Sequence, residues 1–176
     1  LIIYPTDTVY ALGCASLHTT ALAKLAKIKN AKKTKPPVSL VCSSISQAAE
    51  YTGQMENATF RVLKSFLPGP FTFILPVTQK LPKALGKRNS IGVRIPNHEG
   101  ICGLIDALGQ PLASASLHHA DEVRDYTTDP DEIEQDWGSV VDLFIDSGFG
   151  GNKPSTVVDL SGNTPEIIRQ GVGVFS

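Results

Sequence analysis

Cysteine is scarce in this chain, and the three present, Cys14, Cys42 and Cys102, lie far apart with no Cys-x-x-Cys pair. An odd number at wide spacing supports neither a disulfide framework nor a zinc knuckle, and it fits a reducing, cytoplasmic compartment. Long apolar runs are missing too. Val140-Val141 and Leu143-Phe144-Ile145 fall far short of the ~20 residues a membrane helix needs. With no signal-peptide pattern either, a membrane is not among the expected partners. The chain opens Leu1-Ile2-Ile3 without methionine, so a short native N-terminal stretch is expected to precede it. Acid is absent between Asp7 and Glu50, the interval that holds Lys24, Lys27, Lys29, Lys32, Lys33 and Lys35.

What is present suits one globular domain, expected over residues 1–176. The chain is 41% apolar and 19% charged, an ordinary balance for a folded protein, and long enough to bury a sizeable core. The net charge of −1 conceals a split: residues 1–100 carry 13 Lys/Arg against 4 Asp/Glu, and residues 101–176 carry 3 against 13. Such a field favours an anionic ligand near the basic part; a solvated lysine face on a helix accounts for the same residues equally well.

Short β-branched runs predict strands at 1–4, 38–41, 71–77, 90–95, 112–116, 140–145 and 155–160. Helical periodicity predicts helices at 19–29, with Thr19 or Thr20 as cap, and at 58–66, 100–108 and 129–136. Gly109 should close the third of these, and Asp129-Pro130 should open the last. Strands alternating with helices indicate an α/β fold, and their irregular spacing indicates a mixed sheet.

Chemistry-bearing residues gather at strand ends. Tyr4-Pro5-Thr6-Asp7-Thr8-Val9-Tyr10 sets hydroxyls and a carboxylate in a turn, either to face a ligand or to cap the next segment of chain. Lysines from Lys29 to Lys35 suit phosphate oxygens, and equally suit the C-terminal dipole of the preceding helix. Pro68-Gly69-Pro70 is a rigid turn before Phe71-Thr72-Phe73, where Thr72 alternates with the aromatics. Arg94, inside the apolar strand Ile91-Gly92-Val93-Arg94-Ile95, requires a carboxylate, either an internal Asp or one brought by a ligand. Ser114-Ala115-Ser116 would let a ligand approach the backbone. The His118-His119 pair beyond it argues for no metal, since neighbours on extended chain point opposite ways. The glycine-rich 147–154 segment matches neither GxxxxGK[ST] nor GxGxxG, and reads as a mobile loop feeding the hydroxyl-headed strand from Ser155. A last strand carries Arg169. No nucleophile–base pair emerges, and hydroxyls, arginines and lysines of this kind position anions, as nucleotidyl transfer requires.

Taken together and in order, Tyr-Pro-Thr-Asp-Thr-Val-Tyr at 4–10, Pro-Gly-Pro-Phe-Thr at 68–72, Gly-Val-Arg-Ile-Pro at 92–96, Ser-Ala-Ser at 114–116 and Ser-Thr-Val-Val-Asp at 155–159 resemble the YrdC/YciO family, which includes threonylcarbamoyl-AMP synthases. The resemblance implies a single α/β domain of the YrdC-like, DHBP-synthase-like kind. Its twisted mixed parallel/antiparallel sheet and flanking helices would surround a basic cavity. It implies condensation of L-threonine, bicarbonate and ATP with release of pyrophosphate, for modification of tRNA. It also implies the alternative of a double-stranded RNA or tRNA binder with the same fold. Carried over residue by residue, Lys29 and Arg94 would be catalytic. Thr6, Tyr10, Arg94 and Ser155 would hold threonine. Lys29, Lys35, Thr72, Ser114, Ser116 and Arg169 would hold the nucleotide, with Mg2+ carried by ATP rather than by protein ligands.

Two departures stand out. The synthases have Lys-x-Arg where this chain has Lys29-Asn30-Ala31, and Ser-x-Asn where it has Ser116-Leu117-His118; both resemble the YciO branch. The missing charge-assisted and neutral hydrogen bonds together are worth about 2–4.5 kcal/mol. If the pocket works as a synthase, Ala31→Arg with His118→Asn should raise turnover, measured as pyrophosphate released; unchanged or lower turnover means that it serves another reaction.

Overall fold

The computed structural model describes residues 1–29, 38–117 and 126–176. Strands β1 (Ile2–Tyr4), β2 (Ala11–Ala15), β3 (Ser39–Val41), β4 (Phe71–Pro76), β5 (Ser90–Arg94), β6 (Leu112–Ser116), β7 (Leu143–Phe144), β8 (Thr156–Asp159) and β9 (Glu166–Arg169) form one sheet. Their order is β7-β1-β2-β6-β3-β5-β4-β8-β9. The pairings β1–β7, β3–β5 and β4–β8 are parallel and the others antiparallel, so the expected mixed sheet is present. Helices α1 (Thr19–Ile28), α2 (Ile45–Thr52), α3 (Asn57–Phe66), α4 (Glu99–Leu108) and α5 (Pro130–Trp137), with a short 3-10 turn at Lys83–Leu85, complete the described elements. None is long and apolar enough to cross a membrane.

Side-chain alternation divides the sheet into two faces. Ile3, Leu12, Leu40, Phe73, Val93 and Ala113 enter the main core, with Leu22 and Leu25 of α1 and Leu63 of α3. Phe66, Phe71, Phe73 and Phe175 form an aromatic cluster there, with ring centroids 4.9–6.3 Å apart. On the opposite face, α4 sets Ile101 and Ile105 against Tyr4, Ala11, Val41 and Leu112. Val41 and Ser39 are two apart on β3 and share that face, but Ser39 borders a cavity instead of a helix.

Several local expectations are corrected. The cap of α1 is His18, whose Nδ1 accepts from the Ala21 amide at 3.2 Å, rather than Thr19 or Thr20. The 140–145 run forms a strand only at Leu143–Phe144. Strand β2 and helix α2 lie outside the elements expected from sequence. Ser44 caps α2 by accepting from the Gln47 amide at 3.1 Å. The Gly109 stop holds, with φ 68°, and so does the Asp129-Pro130 start of α5.

Phe73 is fully buried among these rings. Phe73→Ala should therefore lower the unfolding free energy by about 3–5 kcal/mol, read from urea denaturation; a loss below about 1 kcal/mol would mean that the cluster is not close-packed.

Candidate functional site

The cavity has a volume of about 430 Å3, within the range of small-molecule sites. Its floor is set by strand register. Gly13 pairs with Ser114, Ser114 with Ser39, Ser39 with Gly92, and Gly92 with Ile74, giving a row of mostly small residues across five strands. A Cβ on Gly92 would lie 2.4 Å from Ser39 Oγ, and one on Gly13 would lie 2.9 Å from the Tyr4 ring. That ring reaches over Gly13 to donate a 2.8 Å hydrogen bond to Ser114 Oγ. Burial pushes the Tyr4 phenol up to about 12, so it remains protonated and keeps its donor.

Thr6, Tyr10, Thr72 and Arg94 all border this cavity, as do Ser114, Ser116, Ser155 and Arg169. Along β5 and one residue beyond it, Ile91, Val93 and Ile95 enter the core, while Ser90, Gly92 and Arg94 face the cavity. On β4, Thr72 alternates with Phe71 and Phe73 as the sequence predicts. The Pro68-Gly69-Pro70 turn is architectural: Gly69 donates to the Ile95 carbonyl at 2.9 Å and anchors the start of β4 to the end of β5.

Arg94 finds its carboxylate inside the protein. Its Nη2 donates to Asp7 Oδ1 at 2.6 Å, to Thr8 Oγ1 at 2.7 Å and to Thr6 Oγ1 at 3.1 Å. Both charged side chains are about nine-tenths buried, at 10% exposure each. Arg94 Nε and Asp7 Oδ2 are nevertheless buried without a hydrogen-bond partner. The guanidinium is thus held in place through Nη2, with Nε enclosed and unpaired. Thr6 Oγ1 also donates to the Val9 carbonyl at 2.7 Å, which fixes the turn that presents Asp7.

At the opposite wall, Thr72 Oγ1 and Ser155 Oγ lie 2.9 Å apart. Arg169 donates to the Ser155 carbonyl through Nη2 at 2.9 Å and Nε at 3.3 Å, tying β9 to the head of β8.

The segment expected to be mobile is pinned. Tyr10 donates its hydroxyl proton to the Gly148 carbonyl at 2.7 Å and accepts from the Ser147 amide at 3.0 Å. Gly151 donates to the Thr8 carbonyl at 2.8 Å. A Cβ at Gly151 would sit 2.1 Å from that carbonyl oxygen, and one at Gly150 would sit 2.8 Å from the Tyr10 ring. The glycines are needed for close packing here, not for motion.

Lys29 is not among the cavity-lining residues. Its Nζ lies 5.9 Å from the centre of the Trp137 ring, and burial pulls its amine down to about 8. Lys35, Ala31, His118 and His119 lie outside the described residues. Tyr4, Ser39, Arg88 and Ser90 border the cavity without being marked as site residues by the sequence. Ser90 is findable, because it shares the period-2 face of Gly92 and Arg94. Arg88 precedes the strand, where no periodicity signals it.

Removing one partner of a buried ion pair strands the other charge. Asp7→Ala should cost about 3–5 kcal/mol of stability, and Asp7→Ala with Arg94→Met should recover most of that loss. Additive losses in urea titrations would show that the two charges are not coupled.

Residues 1–171 match the Sua5/YciO/YrdC family, described as telomere recombination. The chain is 38% identical over 176 residues to the uncharacterized protein YciO of Escherichia coli K12, covering 98% of this chain and 84% of that protein. An uncharacterized protein of Haemophilus influenzae is likewise 38% identical, over 175 residues. The crystal structure of E. coli YciO superposes with a TM-score of 0.87 at 37% identity, covering 98% of this chain and 84% of that one. P. abyssi Sua5, solved in complex with L-threonine, superposes with a TM-score of 0.84 at 28% identity, covering 97% of this chain and 50% of that one. The fold is that of YciO and Sua5, and the chain belongs to the Sua5/YciO/YrdC family.

Proposed function

We propose that the protein condenses L-threonine, bicarbonate and ATP into threonylcarbamoyl-AMP. The observation that carries this reading is the convergence of eight sequence-predicted site residues on one 430 Å3 cavity. A relative of the same fold, P. abyssi Sua5, was solved with L-threonine, which supports a small amino-acid substrate. In the first step the threonine amine attacks the carbon of bicarbonate, forming the carbamate and releasing water. A carbamate oxygen then attacks the α-phosphorus of ATP in line, forming the O–P bond as pyrophosphate leaves. No acid or base on the cavity wall is required to form a covalent enzyme intermediate. Positioning and neutralisation of charge do most of the catalysis.

In this scheme Arg94, oriented through Nη2 by Asp7, Thr6 and Thr8, turns the part of its guanidinium that borders the cavity toward the threonine carboxylate. Thr72, Ser114, Ser116 and Ser155 offer hydroxyls to the nucleotide and the carbamate. Among the described residues, no carboxylate borders the cavity. Magnesium therefore fits here as an ion carried on the ATP phosphates, where it would neutralise the leaving pyrophosphate. Lys29 would approach the phosphates only by leaving the Trp137 face.

The test is incubation with ATP, threonine and bicarbonate, then assay for pyrophosphate and the threonylcarbamoyl adenylate. Both should appear, and Arg94→Lys, which keeps the charge and loses the planar fork, should raise the threonine KM by about tenfold or more. The +9 balance of residues 1–100 favours one other reading, binding of tRNA or double-stranded RNA. No product at high enzyme concentration, together with RNA retention that falls steeply with salt, would replace the synthase by that reading.

A further inference from the structure

Of the two sheet edges, β9 is the one whose residues are all exposed, Ile167 at 45% and Ile168 at 53%. An open edge presents unpaired amides and carbonyls, and proteins commonly guard it with lysine, proline or a covering helix. Glu166-Ile167-Ile168-Arg169 carries neither lysine nor proline. Its pairing with β8 is irregular. Asp159 lies opposite Glu166 and Val158 opposite Ile167, but Val157 lies opposite Arg169, so Ile168 is an extra residue. Opposed residues share a face, and Asp159 and Val157, two apart on β8, share theirs. The bulge therefore brings Glu166 and Arg169 to one face, where regular alternation would separate them.

The charges on that face are unsettled. Glu166 stands opposite Asp159, and like charges directly opposed destabilise a strand pair. Asp159 Oδ1 accepts from the amide and hydroxyl of Ser161, but neither carboxylate has an ion pair among the described residues. Arg169 gives Nε and Nη2 to Ser155 and keeps Nη1 without a partner among the described residues.

We infer that β9 pairs antiparallel with β9 of a second copy, about a two-fold axis between Ile167 and Ile168. That register sets Glu166 of each chain opposite Arg169 of the other, and Ile167 opposite Ile168. A two-fold contact requires a strand complementary to itself, and the order acid, apolar, apolar, base is so. Without the bulge it would not be, because the acid and the base would point to opposite faces. In the pair each Glu166 gains a cation beside Asp159. Each Arg169, which borders the cavity, takes a carboxylate from the other chain, so one copy reaches the cavity wall of its mate. Strand β9 offers four residues a side, far below the roughly 20–30 of a standard interface. Association is therefore weak, with a Kd of roughly 10–100 µM. None of this rests on the proposed reaction.

The test is sedimentation equilibrium of the intact protein from about 5 to about 500 µM, over which wild type should pass from monomer to dimer. Glu166→Arg sets cation against cation twice in each dimer and should weaken association about tenfold or more. Glu166→Arg with Arg169→Glu restores opposite charges in reversed order and should return the affinity to within about threefold of wild type. Ile168→Lys guards the edge without altering either charge, and should abolish the dimer over the same range. Glu166→Arg and Ile168→Lys change exposed side chains, so each should melt within about 3 °C of wild type. A wild type that stays monomeric at the top of the range would overturn the inference. So would a dimer unmoved by both single variants, which would put the contact on another surface. A charge swap that associates no better than Glu166→Arg alone would overturn it as well.

Discussion

The buried contact between Arg94 and Asp7 organises the site more than any other. A guanidinium on a central strand cannot remain in a low-dielectric interior without a counter-charge, and Asp7 supplies it from the turn between β1 and β2. That requirement fixes the turn against β5, across the intervening β6 and β3. Thr6 and Thr8 then close around the same nitrogen. A tie between segments 87 residues apart makes the cavity a property of the whole fold rather than of a local motif. The unpartnered Nε and Oδ2 mark where this arrangement stops short of saturating itself.

Around this pair the sheet divides its labour by alternation. Odd positions of β4 and β5 place Phe71, Phe73, Ile91 and Val93 in the core, and even positions place Thr72, Ser90, Gly92 and Arg94 on the cavity. Stability and chemistry are thus carried by neighbouring residues on the same strands. Helix α4 covers the apolar end of the polar-bearing face through Ile101 and Ile105, and the uncovered remainder is the cavity.

Much of this is legible from residues alone, for identifiable reasons. Strands β4, β5 and β6 announce themselves through alternation, and Arg94 through the cost of burying an unpaired cation. Strand β2 is hidden because Ala11-Leu12-Gly13-Cys14-Ala15 has no β-branched residue; its smallness answers to the Tyr4 ring lying over Gly13. Helix α2 does carry a signal, Ser44 with Gln47 three residues later, but one too short to stand out without a longer apolar stripe. The 147–154 glycines read as freedom because their partners, Tyr10 and Thr8, are far away in sequence. Arg88 is invisible because pocket membership outside a regular strand has no periodicity, and the cation–π placement of Lys29 over Trp137 depends on a helix more than 100 residues away.

The floor, mostly serine and glycine, has one more implication. Flexible side chains let a binding site reshape itself by changing rotamer, but a surface made largely of main chain has no such latitude. Its contour is set by strand spacing and is as stiff as the sheet. Discrimination between candidate ligands must therefore reside in the polar side chains that surround it, while the base acts as a fixed gauge of length and thickness.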